Sequence, residues 1–378
     1  MPISPERLAH YLRLHLADGV GPIMFKRLIE RFGDVAAAAT AHASNLRQVN
    51  GIGDKTAAAI EAVTDQAVRE ELDLAAAAGA TIITLEDDAY PAGLKNIHDP
   101  PPVLYVQGRI EPSDAVAIGV VGSRRCTMYG LEQAGRFGGL LGRAGFAVIS
   151  GGARGIDAAA HRGCLDAGGR TIAVMGCGLG RLYPPENAEL FRRIVAEGRG
   201  AIVSELPMRT AVLAGNFPTR NRIICGLSLG LLVVEAARRS GSLISARLAV
   251  EQGKEVFALP GRVDSPFSEG TNEMIRDHSA ALVSNLEDIL DNLEQVGREM
   301  KKSGAIEATA VPAPKVELTE LERLLLTHLS GNELSLDDLV RRAACPAPAV
   351  TAAMTMLAIK GMVTQKPGGI FAARRAAT

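Results

Sequence analysis

Between residues 80 and 295 the sequence alternates short apolar runs with amphipathic stretches, and this alternation limits the fold more than any other feature. The apolar runs are 81–85, 103–106, 116–121, 146–150, 171–175, 201–204, 231–235 and 255–259. Stretches such as 186–197 and 242–252, which separate them, have the pattern of helices. Continuous apolar strands that alternate with helices are typical of a mostly parallel sheet covered on both faces. The sequence therefore predicts an α/β fold with a Rossmann-like, doubly wound sheet over residues 76–295.

The first 75 residues are predicted to form a separate domain of short helices. Two Gly-x-Gly turns, at 19–21 and 51–53, each precede an amphipathic helix. The second has the pattern of a helix-hairpin-helix or SAM-like module, with Lys55 near the start of its helix. Such a turn can hold a DNA phosphate, but the same turns also join helices that only pack together. Both interpretations stay open.

The C-terminal part of the chain has a different pattern. Residues 296–316 are charged and then rich in Ala and Pro without an apolar period, which predicts a linker. Residues 317–378 contain three helical segments, at 319–329, 335–343 and 346–360, followed by a Gly-containing hairpin that ends near Phe371. This order predicts a small winged-helix domain.

Composition limits the environment and the partners. The cysteines are scattered without a C-x-x-C pair, which suits neither a disulfide framework nor a zinc site, so we expect a reducing, cytoplasmic location. No stretch approaches the ~20 apolar residues of a membrane span, so we expect no membrane association. The net charge is −1. Proteins that bind nucleic acids are often basic overall, so this value argues against nucleic-acid binding. It still allows a local basic patch that binds phosphates.

The loops that follow the predicted strands share one edge of the sheet, because the carboxyl ends of parallel strands lie together. These loops are rich in glycine and small residues, and most of them carry arginine. They are 122–125 (GSRR), 151–157 (GGARGID), 176–180 (GCGLG), 215–222 (GNFPTRNR) and 238–242 (RRSGS). Glycine lets backbone N–H groups approach a phosphate, and arginine binds phosphate oxygens with two parallel hydrogen bonds. The clustering predicts a site for an extended anion.

The sequence argues against several kinds of anion site. It lacks the P-loop pattern, which argues against ATP hydrolysis, and residues 119–122 lack the third glycine of the dinucleotide fingerprint. Asp157 and His161 lie four residues apart on one predicted helix, where we expect them to cap the helix and support a loop. Glu205 and Glu235 are predicted to hydrogen-bond the loops in the same way. We expect no cofactor, no metal and no enzymatic activity.

The central segment resembles the DNA-processing protein A (DprA, or Smf) family. The resemblance rests on long motifs in a fixed order: GSR at 122–124, SGGARGIDAAAH at 150–161, TIAVMGCGLGRLYPPEN at 171–187, SELP at 204–207, FPTRNRIICGLS at 217–228, VVEAARRSGSLISARLAVEQGKEVFALPG at 233–261 and EGTNEMI at 269–275. These motifs cover residues 100–283. The helical and winged-helix parts resemble accessory domains of family members.

The resemblance implies a protein that binds and protects incoming single-stranded DNA and loads the RecA recombinase during natural transformation. It also implies a homodimer through the Rossmann-like domain. Arg124 is expected to hold a phosphate, Phe217 to contact a base, and Arg220 and Arg222 to hold the DNA backbone. Together with the loop pattern, this gives the predicted DNA contacts: Gly122, Ser123, Arg124, Gly151, Gly152, Arg154, Phe217, Arg220, Asn221, Arg222, Ser240, Gly241 and Ser242.

Some positions depart from the family pattern. Gly180 stands where the family usually has Asp, and Met208-Arg209 replaces the usual Pro-Gly. His278 stands where a glycine is common. These changes leave the phosphate loops intact and leave the shape of the 205–217 loop open.

Two alternatives remain at this point. The first is a nucleotide-cleaving enzyme of the related lysine-decarboxylase-like (LOG) group, whose catalytic glutamate would fall at Arg247 here. The second is a transcription regulator that uses the winged helix. Its third helix, 346–360, has one basic residue and no Arg, Asn or Gln to contact base edges, and Asp337 and Asp338 on the preceding helix would repel the DNA backbone.

Overall fold

The computed structural model describes residues 3–293, 297–298, 318–330, 332–360, 362–366 and 370–373. By their contacts the residues of the chain fall into two units, residues 1–309 and residues 310–378. Most of the predicted linker, residue 296 and residues 299–316, lies outside the described residues.

Unit 1 begins with a group of short helices: α1 (Pro5–His15), α2 (Pro22–Phe32), α3 (Val35–Ala39), α4 (Ala43–Leu46), α5 (Asp54–Ala62) and α6 (Asp65–Ala77). Gly19 and Gly51 have φ values of 87° and 95° in the two predicted turns. A Cβ at Gly19 would lie 2.8 Å from Thr56 Oγ1, and one at Gly51 would lie 2.8 Å from Met24 Cε. Each turn therefore packs against the helix that follows the other turn, and both need glycine.

The sheet of unit 1 has nine strands among the described residues: β1 (Ala80–Thr84), β2 (Val103–Gly108), β3 (Ala117–Val121), β4 (Ala147–Ser150), β5 (Thr171–Val174), β6 (Gly200–Ser204), β7 (Gly230–Val233), β8 (Glu255–Ala258) and β9 (Ala281–Leu282). Their order is β1-β2-β6-β5-β4-β3-β7-β8-β9. The seven strands β6-β5-β4-β3-β7-β8-β9 run parallel to one another. Strand β2 is antiparallel to both of its neighbours, β1 and β6. The predicted mostly parallel, doubly wound sheet is confirmed.

Helices cover both faces of this sheet: α7 (Ala92–Lys95), α8 (Met128–Arg143), α9 (Ile156–Asp166), α10 (Ala188–Ala196), α11 (Asn216–Gly226), α12 (Ser242–Glu251), α13 (Glu269–Arg276) and α14 (Leu286–Asn292). Side chains alternate along β3. Ile118 and Val120 are buried with Phe137 of α8, whereas Val121 packs in the same core as Ile223 of α11. The alternation produces two apolar layers, one on each side of the sheet.

The N-terminal helices share a core with the sheet. Leu12 and Leu28 belong to the same buried cluster as Tyr105 of β2 and Ile202 of β6. Residue 75 lies inside α6, and the contacts group the helices and the sheet into one unit. The proposed boundary between a helical domain at 1–75 and a sheet domain at 76–295 therefore stays a prediction.

Unit 2 contains α15 (Glu320–Leu329), β10 (Glu333–Ser335), α16 (Leu336–Ala343), α17 (Ala347–Ile359), β11 (Val363–Lys366) and β12 (Ile370–Ala373). The strands form an antiparallel sheet in the order β10-β12-β11. Leu325, Leu339 and Leu357, one from each helix, are fully buried. The three predicted helices and the hairpin of a winged helix are therefore present.

Lys360, directly after α17, is 2.8 Å from both carboxylate oxygens of Glu322, so its charge is compensated within the unit.

No helix among the described residues is both long enough and apolar enough to span a bilayer. The described part of the chain also lacks any group of three or more His, Cys, Asp or Glu side chains that could hold a metal ion.

Helices α8 and α9 approach each other so closely that their backbones touch. A Cβ at Gly138 of α8 would lie 2.2 Å from the carbonyl oxygen of Ala160. A Cβ at Gly163 of α9 would lie 2.0 Å from the carbonyl oxygen of Gly135. Because neither carbonyl can move without its helix, glycine is required at both positions. The contact fixes α9, whose N-terminus follows the 151–155 loop.

We predict opposite effects of alanine at two glycines of this helix pair. Gly163→Ala should destabilise the protein by about 1–3 kcal/mol, because the new methyl group overlaps the Gly135 carbonyl. Gly135→Ala is the matched control, because its Cβ would meet only one atom, 3.9 Å away. It should be neutral or stabilise by up to about 1 kcal/mol through helix propensity. Denaturant unfolding measures both, and equal effects would contradict the close approach.

Candidate nucleic-acid interface

An open cavity of about 660 Å³ lies at the carboxyl edge of the sheet, where the loops after β3 and β7 meet the start of α11. Nine of the thirteen predicted DNA contacts line it: Gly122, Ser123, Arg124, Phe217, Arg220, Asn221, Ser240, Gly241 and Ser242. Residues from two loops and the start of one helix, far apart in the sequence, therefore form one surface.

Arg124 and Phe217 form the wall of the cavity. The Arg124 guanidinium carbon lies 4.7 Å from the centroid of the Phe217 ring, a cation–π contact. Arg124 is exposed, and it has no carboxylate within ion-pair distance among the described residues. The Phe217 ring is half-buried, 6.1 Å from the Tyr183 ring, and it would be 3.0 Å from a Cβ at Gly176. The Phe217 ring thus packs against one side of the Arg124 guanidinium, and the other side of the guanidinium faces solvent.

The GSRR loop is fixed by hydrogen bonds to the end of β7. The N–H of Ser123 donates to the Glu235 carbonyl at 2.8 Å. The Glu235 carboxylate accepts from the N–H and hydroxyl of Thr127, at 2.9 and 2.6 Å. The predicted loop-supporting role of Glu235 is confirmed. Because this loop is fixed, Arg124 projects from a rigid base.

The loop before α12 offers hydroxyl groups. The Oγ atoms of Ser240 and Ser242 are 2.7 Å apart. The N–H groups of Ser242, Leu243 and Ile244 already donate within the turn, to Ser240 or Gly241. The two serine hydroxyls, rather than the first N–H groups of α12, are therefore the polar groups that this loop presents to the cavity.

Arg220 supports the floor of the cavity from below. It is only 4% exposed, and its guanidinium donates to the carbonyl of Gly151 at 2.8 Å and to the carbonyl of Val174. Burial lowers the pKa of Arg220 to about 10, and the carboxylate of Asp157 opposes this shift. Arg220 thus joins the ends of β4 and β5 and leaves little of its surface for a ligand.

Asp157 and His161 hold the same region and are not an acid–base pair. Asp157 accepts from the N–H groups of Gly151 and Ala153, at 3.1 and 3.3 Å, which confirms that it supports the loop. Burial raises the pKa of Asp157, and the Arg220 guanidinium counteracts this. His161 is fully buried 2.6 Å from Thr171 Oγ1, and burial lowers its pKa to about 3. The imidazole is therefore neutral.

Arg222 is placed differently from the sequence prediction. Its side chain is 5% exposed, with its guanidinium 2.8 Å from Asp99 and 2.6 Å from Glu205. It does not line the cavity. The expectation that Arg222 holds the DNA backbone is corrected accordingly, because both carboxylates compensate its charge inside the protein. Glu205, predicted to bond a loop, instead pairs with this arginine of α11.

Arg154, Gly151 and Gly152 also lie outside the cavity lining. Glu186 binds Arg154 with both carboxylate oxygens, at 2.6 and 2.9 Å, and the Tyr183 hydroxyl lies 3.1 Å away. Gly151 and Gly152 are buried, and the Gly151 N–H is taken by Asp157. Because both glycines are buried, their backbone groups are not presented to a phosphate, and Arg154 binds a phosphate only if it gives up its ion pair with Glu186.

Several lining residues were not predicted from the sequence: Arg125, Tyr183, Val212, Ala214 and Ile244. Arg125 follows Arg124 in the GSRR loop, and Tyr183 is one of only five tyrosines in a chain without tryptophan, so both carried a signal. Val212 and Ala214 carried none, because their position depends on how the 205–215 loop folds, and Ile244 is an ordinary apolar residue of α12.

The structure shows the backbone surroundings of the positions that depart from the family pattern. His278 has a φ of 56°, in the left-handed region that favours glycine. The N–H of Gly180 donates to the Met208 carbonyl at 3.2 Å, and a Cβ at Gly180 would lie 2.8 Å from that oxygen. The residues at 180 and 208 are thus in direct contact, and glycine at 180 fits this path of the loop.

The carboxylates at the cavity bear on the alternative of a nucleotide-cleaving enzyme. Among the described residues that line the cavity, the one carboxylate is that of Asp157, which is engaged by backbone N–H groups. Arg247, at the position where the enzyme group has its glutamate, is exposed on α12.

Comparison with known proteins agrees with this architecture. Residues 81–294 match the family model of DNA recombination-mediator protein A, and residues 309–369 match the DprA winged helix domain. Protein Smf of Synechocystis sp. is 34% identical over 95% of this chain and 97% of that protein. Protein Smf of Escherichia coli is 39% identical over 78% of each chain.

Solved structures give the same result. DNA processing protein A from Streptococcus pneumoniae superimposes with a TM-score of 0.66 at 30% identity, over 78% of this chain and 99% of that one. The corresponding protein from Helicobacter pylori, described for its single-stranded DNA binding mode, superimposes with a TM-score of 0.50 at 30% identity, over 59% of this chain and 97% of that one. The resemblance found in the sequence is confirmed: the chain belongs to the DNA recombination-mediator protein A family.

Proposed function

We propose that this chain binds single-stranded DNA in the cavity at the carboxyl edge of its sheet, protects the strand, and does no covalent chemistry on it. The observation that carries the proposal is the exposed Arg124 guanidinium on the Phe217 ring, beside the hydroxyls of Ser240 and Ser242. A cation with paired hydrogen-bond donors suits a phosphate, and a neighbouring planar surface suits a base. The H. pylori relative supports this choice of ligand.

The charges around the cavity favour a polyanion although the whole chain is nearly neutral. Arg124, Arg125, Arg238 and Arg239 are exposed and have no ion-pair partner among the described residues. They follow β3 and β7, which are neighbours in the sheet. Because free cations release counterions from DNA when they bind, these four side chains should dominate the salt dependence.

The proposed contact set is narrower than the one expected from sequence. It keeps the residues that line the cavity: Gly122, Ser123, Arg124, Phe217, Asn221, Ser240, Gly241 and Ser242. Arg220 supports the floor, Arg222 belongs to a buried ion pair, and Arg154 is held by Glu186. Single strands should bind better than duplexes, because a base must leave its stack to reach Phe217.

The family resemblance supports two further parts of the proposal, namely transfer of the strand to RecA in transformation and recombination, and homodimerisation through the Rossmann-like sheet. The sequence has no P-loop, so strand exchange must come from a partner that uses ATP.

Unit 2 is not proposed as an operator-binding module, because Lys360 pairs with Glu322. Incubation with AMP should release no free adenine.

We predict that Arg124→Ala weakens single-strand binding by about 1.5–3 kcal/mol, the range for hydrogen bonds to charged groups. The slope of log K against log salt should fall by about 0.7 for the lost phosphate contact. Arg136→Ala is the matched control, because Arg136 is also exposed and lies 5.2 Å from a phenylalanine ring, that of Phe137, but outside the cavity. Titrations at several salt concentrations measure both variants. An unchanged slope for Arg124→Ala would place the strand elsewhere.

We predict that Phe217→Ala removes about 1–3 kcal/mol of single-strand affinity, the range measured for base–aromatic stacking. Since Phe217 also supports Arg124, the loss in the Arg124→Ala/Phe217→Ala double variant should be smaller than the sum of the single losses. Binding titrations and melting curves on the three variants measure this. If Phe217→Ala melts early and yet binds normally, the ring only stabilises the start of α11.

We predict that RecA nucleates faster on single strands covered by this protein than on strands covered by its Arg124→Ala variant. The reason is that strand transfer requires the protein to hold the strand first. The measurement is the lag time of RecA ATP hydrolysis at several protein-to-DNA ratios. If the protein inhibits RecA at every ratio, it only coats and protects the strand, and the loading role is wrong.

A further inference from the structure

The loop of residues 205–215 connects β6 to α11 and contributes one wall of the DNA cavity. Val212 and Ala214, near its far end, line the cavity, and α11 begins immediately afterwards with Asn216 and Phe217. Residues 211–215 are exposed and therefore receive little support from a core of their own. The position of this wall therefore depends on how the loop is held at its two ends, by α11 at the far end and by residues 205–210 at the near end.

The near end is fixed by a buried carboxylate from the N-terminal helices. Glu71 of α6 accepts a hydrogen bond from the N–H of Met208 at 2.7 Å. Glu71 is 6% exposed and Met208 is 1% exposed, so water does not replace this bond easily. The Met208 carbonyl accepts from Gly180. The N–H and the carbonyl group of Met208 are therefore both hydrogen-bonded.

Further contacts tie the same segment to the helices. The Met208 side chain belongs to the buried cluster that contains Leu12 and Val68. Arg209 lies 3.8 Å from Glu70, next to Glu71. A second cavity, about 460 Å³, is lined by Arg209 together with residues of α5 and α6, and Met208 and Arg209 anchor the loop beside it. Four residues beyond this anchor, Val212 reaches the DNA cavity.

We propose that Glu71 is a positioning residue for the DNA cavity and that the N-terminal helices set the binding-competent form of the 205–215 loop through it. The inference rests on the proposed single-strand function. Without an acceptor for the Met208 N–H, the buried donor is unsatisfied and the anchored form of the loop is less populated. The apparent Kd then rises in inverse proportion to the competent fraction.

The test compares Glu71→Ala with Glu71→Gln in the full chain. Gln keeps a carbonyl oxygen that can accept from Met208, whereas Ala has no acceptor. Glu71→Ala should raise the Kd for a single strand about three- to tenfold, as expected if a third to a tenth of molecules stay competent. Glu71→Gln should bind within about twofold of the parent protein.

Two further variants serve as controls. Asp73→Ala removes an exposed acid from the same helix, and Ile60→Val makes a small cavity in the buried core of the N-terminal helices, at a residue that lines neither cavity described above. Both should bind DNA as the parent protein does. If Ile60→Val weakens binding as much as Glu71→Ala, the effect is a general one and the proposal is overturned.

A second measurement follows the loop without DNA. The chain contains no tryptophan, so Leu213→Trp introduces a single reporter at an exposed position of the loop. In this background Glu71→Ala should lower the tryptophan anisotropy and raise its quenching by acrylamide, and Glu71→Gln should restore both. Unchanged fluorescence in Glu71→Ala would overturn the anchoring.

The two measurements separate the inference from the function on which it rests. If Arg124→Ala weakens binding but Glu71→Ala binds normally, the positioning role is wrong and the DNA site remains. If the parent protein does not bind single strands while the fluorescence still responds to Glu71→Ala, the anchor exists and the proposed function fails.

Discussion

The candidate site depends on the buried guanidinium of Arg220, which joins the carboxyl ends of two central strands. It donates to the carbonyls of Gly151 and Val174, and it lies beside the carboxylate of Asp157, which in turn holds the backbone N–H groups of the next loop. A buried charge is tolerated only when it is paired and hydrogen-bonded. The hydrogen bonds of Arg220 therefore connect β4 and β5 to the start of α11, and the cavity forms above them.

The arginines of the carboxyl edge have two kinds of surroundings. Arg220 and Arg222 are buried and donate hydrogen bonds to carbonyl or carboxylate oxygens of other elements, and they maintain the architecture. Arg124 and Arg239 are exposed and lack ion pairs among the described residues. Arg154 is intermediate, because Glu186 compensates its charge at the surface. This division explains how a chain with a net charge of −1 can present a positive surface to a ligand.

Much of the fold could be predicted because strands buried on both faces leave continuous apolar runs in the sequence. The strand β9 was missed since its two residues are too few to make such a run. At the site, the loop positions and the family resemblance predicted Arg124, Phe217 and the serines of the loop before α12, all of which line the cavity. They could not distinguish Arg124 from Arg222, because the partners of Arg222 lie 123 and 17 residues away in the sequence. Ion pairs over such separations become visible only in the folded chain.

The residues that line the cavity are spread along the sequence from Val121 to Ser245, and this has a consequence for how the protein and its ligand affect each other. No short segment of the chain contains the whole surface, so the unfolded chain has no equivalent site. A ligand that binds only the folded form adds RT ln(1 + [L]/Kd) to the free energy of unfolding. If a strand is held there as proposed, it stabilises the folded protein against unfolding and against proteases that attack unfolded segments, so that the proposed protection is mutual.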